Sequence, residues 1–186
     1  ADMIAETDPG ETGTMKATTP RSARSRDFER IWAAIPRHGK PLPDKADFRP
    51  ERFARFLADI YLVELHDVPG KRVPIRLAGN HIRDHLGIDV KGMNYADFVP
   101  PERQAIAGAS MPRMFEMPVC GRWVRKDILH RDGHREMIEM TQLPMSEAAT
   151  GTRLVLGLIE GFGEELHGEG QFRIESRDAE VFFDLA

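Results

Sequence analysis

The sequence lacks several features that would place it in a familiar class. It has one cysteine, Cys120, so an intrachain disulfide and a cysteine-based metal cluster are excluded. No apolar run reaches the roughly 20 residues of a membrane-spanning helix, and the N-terminus has no apolar core typical of a secretory signal. The net charge of −4 provides no positive field for nucleic acid. We therefore predict a cytoplasmic protein that binds neither nucleic acid nor membrane.

Catalytic motifs are also missing. The sequence contains no nucleophile elbow, no phosphate-binding loop and no dinucleotide fingerprint. We predict that the chain is not an enzyme. One alternative is a small cone-shaped α+β barrel that carries out proton chemistry in an apolar cavity. Its candidate acid and base groups are His130, His134 and Glu139.

The chain has 186 residues, of which 41% are hydrophobic, and this length and composition predict one domain with flanking segments. Residues 1–26 have few core-forming side chains and are predicted to be a disordered arm. Residues 27–47 form a flanking helix and linker, and residues 48–162 form the domain. Residues 163–186 are an acidic tail with an apolar tip, which docks on this domain, on a second copy or on a partner.

Four apolar residues after position 27 recur at helical spacing. They are Phe28, Ile31, Trp32 and Ile35. Ser25 or Asp27 is the predicted cap. A helix of this length is not stable alone, so its apolar face must dock on the domain or on a second copy of the chain. We predict that these four side chains form a homodimer interface.

The remaining pattern predicts five strands. They span residues 60–66, 73–78, 119–130, 135–145 and 152–162. Pro74 removes an amide donor, which favours a sheet edge for the second strand. Short helices and a longer helix starting at Pro101 separate the second strand from the third. This order predicts an α+β domain, in which helices cover one face of a five-stranded antiparallel sheet and leave a pocket between the layers.

Short motifs in a fixed order carry a resemblance to a known family. They are Ile31-Trp32 with Pro36, Asp47-Phe-Arg-Pro50, Leu57 with Ile60-Tyr-Leu-Val63, Arg76-Leu-Ala-Gly79 with Ile82, Gly87-Ile-Asp89 with Gly92, and Leu143-Pro-Met145. In this order the chain resembles a PAS domain, and more narrowly a bacterial family of single-PAS proteins formerly of unknown function. The resemblance implies a sensory or regulatory module that acts through contact with an unidentified signalling protein.

The resemblance places a ligand pocket between the helices and the sheet. The predicted pocket residues are Ile75, Leu77, Ile82, Leu86, Met93, Phe98, Ile106, Trp123 and Met140. These side chains favour a small apolar ligand. The basic residues Arg122, Arg125, Lys126 and Arg131 leave open an acidic ligand, such as a nucleotide second messenger. Alternation does not decide which face of residues 119–130 points inward.

The identity of a cofactor stays open, but the residue pattern argues against two of them. Flavin photosensors of this family place a reactive cysteine in a stretch that here reads Asn94-Tyr-Ala-Asp97. Haem-binding members use a histidine on or near the long helix, and the sequence has no histidine between residues 86 and 129. The side chain of Cys120 is predicted to pack in the interior as a small hydrophobic group.

Two pairs of histidines have spacing that a metal site could use. His81 and His85 are four residues apart, as two ligands on one helix face would be. His130 and His134 flank a turn and have Glu136 nearby. We expect solvated surface histidines in the first case and a polar turn in the second, so no metal site is predicted.

Overall fold

The computed structural model describes residues 21–66, 72–163 and 172–185. In these residues three α-helices and six β-strands are joined by turns and short 3₁₀ helices. The helices are α1 (Ala23–Ala33), α2 (Asn80–Leu86) and α3 (Pro101–Ser110). The strands are β1 (Ile60–Leu65), β2 (Ile75–Ala78), β3 (Cys120–His130), β4 (Arg135–Glu147), β5 (Thr152–Glu160) and β6 (Phe172–Asp184).

The six strands form one antiparallel sheet in the order β2-β1-β5-β4-β3-β6. The predicted PAS-like α+β class is therefore confirmed. Pro74 immediately precedes β2, and β2 lies at the sheet edge, where a missing amide donor is tolerated. None of the helices in the described residues has the length and apolarity needed to cross a membrane.

The C-terminal segment provides a sixth strand that the sequence analysis did not predict. β6 runs along β3 from the pair Cys120–Asp184 to the pair His130–Phe172. The acidic composition had suggested a tail, but the neighbouring strand is basic, and Arg122 Nε donates to Glu180 Oε1 at 2.6 Å. The apolar tip therefore docks on its own domain, where the ring of Phe183 packs over Gly121.

Alternation along the strands divides the core into two layers. One face of the sheet packs against α2 and the 3₁₀ helices Tyr95–Phe98 and Pro112–Phe115. Its side chains include Tyr61, Val63, Val124, Ile138, Met140 and Val155. The opposite face packs against α1 and the 3₁₀ helix Pro50–Phe53. Its side chains include Ile60, Leu62, Leu143, Met145, Leu154 and Leu158.

The helix α1 begins before the predicted boundary at residue 27. Ser22 is its N-cap, and the Ser22 hydroxyl accepts a hydrogen bond from the Ser25 amide at 2.8 Å. Ser25, one of the two predicted caps, is buried instead and its hydroxyl meets that of Thr141 on β4. Residues 21–26 are thus ordered onto the domain, whereas residues 1–20 of the predicted arm lie outside the described residues.

The apolar face of α1 is covered within a single chain. Phe28 and Trp32 are completely buried, Ile35 is nearly so, and all three pack on the second face of the sheet. Trp32 Nε1 also donates to the Pro144 carbonyl at 3.2 Å. The three side chains cover the apolar second face of their own sheet. They are therefore not exposed for the dimer interface that was predicted for them. Ile31 is half-buried, and the homodimer itself stays a prediction.

Candidate functional site

An apolar cavity lies between α2 and the sheet. Its volume is about 50 Å³, and its walls come from β1 to β6, α2 and the 3₁₀ helix Tyr95–Phe98. Five of the predicted pocket residues line it, namely Ile75, Ile82, Leu86, Phe98 and Met140. The other wall residues include Ile128, Ile138, Ile159, Phe162, Phe172 and Ile174. The last two belong to β6, so the unpredicted strand closes one side of the cavity.

The other four predicted pocket residues do not line this cavity. Val124 and Ile128 of β3 point to the cavity side of the sheet. Trp123 is the neighbour of Val124 along the strand, so it is buried on the face that points away from the cavity. Leu77 is 44% exposed. Met93 is half-buried beside the core layer that surrounds the cavity, and the side chain of Ile106 lies outside the described residues.

A β-bulge accounts for the exposure of Leu77. Ile75 pairs with Val63 and Leu77 pairs with Leu62, so the register shifts by one residue between the two pairs. The side chain of Leu62 points to the face of the sheet that lies away from the cavity. Leu77 pairs with Leu62, so its side chain points to that same face. The alternation of apolar residues along 73–78 cannot reveal such a shift, because the bulge changes how the strand pairs with β1 and leaves no mark in the apolar pattern.

Two tyrosines of the cavity wall have hydroxyl groups that are hydrogen-bonded within the core. Tyr61 and Tyr95 stack with ring centroids 6.4 Å apart. Lys126 Nζ donates to the Tyr95 hydroxyl at 2.7 Å, and Gln142 Nε2 donates to the Tyr61 hydroxyl at 2.6 Å. Burial raises the pKa of Tyr61 well above its usual value, with a smaller contribution from Tyr95. Tyr61 therefore acts as a neutral hydrogen-bonding group at neutral pH.

The basic side chains of β3 have partners within the chain. Arg122 is almost completely buried and bonds to Gln142 as well as to Glu180, and Arg125 pairs with Glu139 at 3.1 Å. Lys126 is held by Tyr95. These three cations are therefore already engaged by groups of the same chain.

Two histidines and a glutamate meet next to Phe162, a residue of the cavity wall. His85 Nε2 and His130 Nε2 both lie against the same oxygen, Glu136 Oε2, at 2.6 and 2.8 Å. The other oxygen, Oε1, accepts a hydrogen bond from the Gly163 amide at 2.9 Å. The ring of His85 also stacks on Phe162 with centroids 4.3 Å apart. These three ligand-type atoms lie within 4.8 Å of one another, a spacing that a metal ion could bridge.

The hydrogen bonds to Glu136 keep its carboxylate charged. Burial alone would raise the pKa of Glu136, but the Gly163 amide and the two histidines outweigh it and bring the pKa to about 2. His85 is completely buried, so the expectation of a solvated surface histidine is wrong for this residue. His81, its predicted partner, is instead part-exposed and bonds to Asp59.

The acid–base set of the alternative enzyme does not converge. His130 lies on the cavity face of the sheet, and His134 is exposed at the turn. Glu139 is on the opposite face of β4 from Ile138 and Met140, where it pairs with Arg125. No shared substrate position lies between His130 and Glu139, because the sheet separates them.

The cluster of His85, His130 and Glu136 could have been recognised from the alternation along the strands, if the face that points inward had been known. His130 follows Ile128 by two residues on β3, and Glu136 precedes Ile138 by two on β4, so all four point to the same face. His85 lies three residues after Ile82 on the buried side of α2. The sequence left the phase of residues 119–130 undecided, so the cluster was not recognised.

Comparison with known proteins assigns the fold to a family. A family model described as PAS domain matches residues 20–160, about three quarters of the chain. The chain belongs to the PAS domain family. PAS domains serve as sensory or regulatory modules, and the cavity between helix and sheet occupies the place that the resemblance implied for a ligand. No curated protein matches the chain.

Proposed function

We propose that this PAS domain is a sensor that takes up a small apolar molecule in the cavity beside α2 and passes the change to a partner protein. The supporting observation is the cavity itself, whose walls are aliphatic and aromatic. A void of this kind costs stability unless something fills it, so its retention is consistent with a use.

The size of the cavity limits the ligand. An engineered apolar cavity of about 150 Å³ binds benzene or xenon, and this cavity, at about 50 Å³, has a third of that volume. The ligand is therefore a molecule of a few heavy atoms, or a larger one that displaces the walls. Flavin- or haem-sized groups belong to pockets of roughly 300–1,000 Å³ and would require the layers to separate.

The strand β4 offers a route from the cavity to the outer surface. Ile138 and Met140 line the cavity, whereas Thr141 meets Ser25 of α1 and the Pro144 carbonyl accepts the Trp32 indole. A ligand that shifts the inner side of β4 therefore also acts on the contacts that hold α1. We propose α1 and its surroundings as the surface through which the partner reads the state of the cavity.

Binding of probe molecules to the full chain tests this proposal. We expect xenon and short alcohols to raise Tm in the wild type, and benzene to bind more tightly to Ile75→Ala, which enlarges the cavity. The matched control is Leu77→Ala, an exposed residue on the same strand, and it should bind benzene no better than the wild type. Amide hydrogen exchange in α1 should slow or quicken when the probe binds. The proposal fails if no probe changes Tm in any variant, or if α1 exchange never responds.

A further inference from the structure

The cluster of His85, His130 and Glu136 has the composition of a metal centre. Two imidazole nitrogens and one carboxylate oxygen form the ligand set of many zinc sites that keep an open position, and of non-haem iron sites. All three side chains are at least nine-tenths buried, with relative exposures of 0, 4 and 7%. A buried imidazole–carboxylate–imidazole group is expensive to assemble, and a bound divalent cation would compensate for the buried carboxylate charge.

We propose that His85 Nε2, His130 Nε2 and Glu136 Oε2 bind a divalent first-row transition ion, with Zn²⁺ the best match. This site is separate from the ligand proposed for the apolar cavity, and either can exist without the other. The family match assigns no metal to these residues.

The geometry requires only a small rearrangement. Ligands held tetrahedrally at the usual Zn–N and Zn–O distances of about 2.0–2.1 Å are roughly 3.3 Å apart. The two nitrogens now lie 2.6 and 2.8 Å from the shared carboxylate oxygen. Each contact must therefore lengthen by less than about 1 Å, which small χ rotations of the three side chains provide. The ion would replace the protons that bridge these atoms in the metal-free protein.

Outer contacts hold two of the ligands in place. The Gly163 amide donates to Glu136 Oε1, which leaves Oε2 directed at the histidines. The stack of Phe162 on His85 fixes the plane of that imidazole. Contacts of this kind orient the ligands of metal sites and contribute to their affinity.

Phe162 also separates the cluster from solvent. It lines both the apolar cavity and a surface pocket of about 250 Å³, whose other lining residues include Arg24, Asp59, His81 and Glu160. A cation that enters this pocket is one aromatic ring away from His85. Movement of Phe162 therefore provides an entry path.

Metal titration of the full chain, after treatment with chelator, tests the assignment. We expect one Zn²⁺ per chain with a rise in Tm, and one Co²⁺ with the visible absorption of a four- or five-coordinate site. His130→Gln and Glu136→Gln should each weaken Zn²⁺ binding by at least about 100-fold. Glu136→Gln keeps the shape of the side chain, and circular dichroism of the metal-free variants shows that they are folded.

The matched control is His81→Gln, since His81 is four residues before His85 on the same helix. We expect its Zn²⁺ affinity to stay within about threefold of the wild type. If His81→Gln abolishes binding while Glu136→Gln does not, the ion binds to the surface of α2 and the proposal is wrong. Absence of 1:1 binding by the folded wild type also overturns it.

Discussion

Glu147, at the end of β4, connects two segments that are distant in the sequence with the turn that follows β4. Its carboxylate accepts hydrogen bonds from Lys45 Nζ at 2.7 Å, from Arg76 Nη1 at 2.9 Å and from Thr150 Oγ1 at 2.9 Å. Lys45 belongs to the linker that follows α1, and Arg76 to the edge strand β2. These bonds lower the pKa of Glu147 from 4.5 to about 2.

A group whose pKa is lowered in the folded state stabilises that state only while it is charged. The contribution of Glu147 is therefore complete above about pH 4.5 and is lost as the pH falls toward 2. We predict that Glu147→Gln is less stable than the wild type at pH 7 and that the difference disappears near pH 2. Urea unfolding across this range measures it. Glu51→Gln, a change at an exposed carboxylate, is the control; a difference that does not depend on pH would contradict the prediction.

Sequence reasoning placed individual side chains correctly where apolar residues recur at a regular helical spacing. Ile82 and Leu86 are four apart on α2, and both line the cavity. Trp123 was predicted to line the pocket and does not, because both faces of residues 119–130 carry arginine or lysine along with apolar residues and alternation could not decide between them. The internal partners Glu180, Gln142 and Tyr95 resolve this pattern, and all three lie far away in the sequence.

At the scale of secondary-structure elements, the five strands of the PAS core follow from local signals, whereas β6 does not. The core strands are apolar or alternating and are bounded by turn residues. The C-terminal segment is rich in Asp and Glu, which are depleted in strands. β6 is stable because it pairs with a basic neighbour and because Phe172 and Ile174 contribute to the cavity wall. A favourable partner strand can override a poor intrinsic propensity.

We predict that truncation after Gly163, which removes β6, exposes the β3 edge and opens the cavity. The loss of Ile174, which is buried, and of the half-buried Phe172, Phe182 and Phe183 should lower Tm by on the order of 10 °C. Amide protons of β3 that donate to β6 should exchange faster, and a dye that binds apolar surface should bind more strongly. Truncation after Leu185 keeps the strand and is the control. Unchanged exchange in β3 would show that the pairing does not persist in solution.

The whole molecule is a sheet that is covered on both faces by the same chain. The first cover, formed by α2 and the neighbouring 3₁₀ helices, encloses the cavity. The second cover, α1, buries Phe28, Trp32 and Ile35 on the second face of the sheet, away from the cavity. Any homodimer that this protein forms must therefore use another surface, or α1 must move to the second copy. This arrangement makes α1 part of the folding unit as well as the proposed output element.

Deletion of residues 1–35 tests which role α1 plays. If α1 covers its own sheet, the truncated chain loses the burial of three large side chains, each worth several kcal/mol, and we expect it to aggregate or to unfold below 37 °C. Deletion of residues 1–20 leaves α1 and its Ser22 cap intact and is the control. Light scattering and thermal unfolding distinguish the outcomes. A stable, monodisperse monomer with the control's Tm would show that the second face of the sheet does not need α1, which would contradict the packing of Trp32 described above.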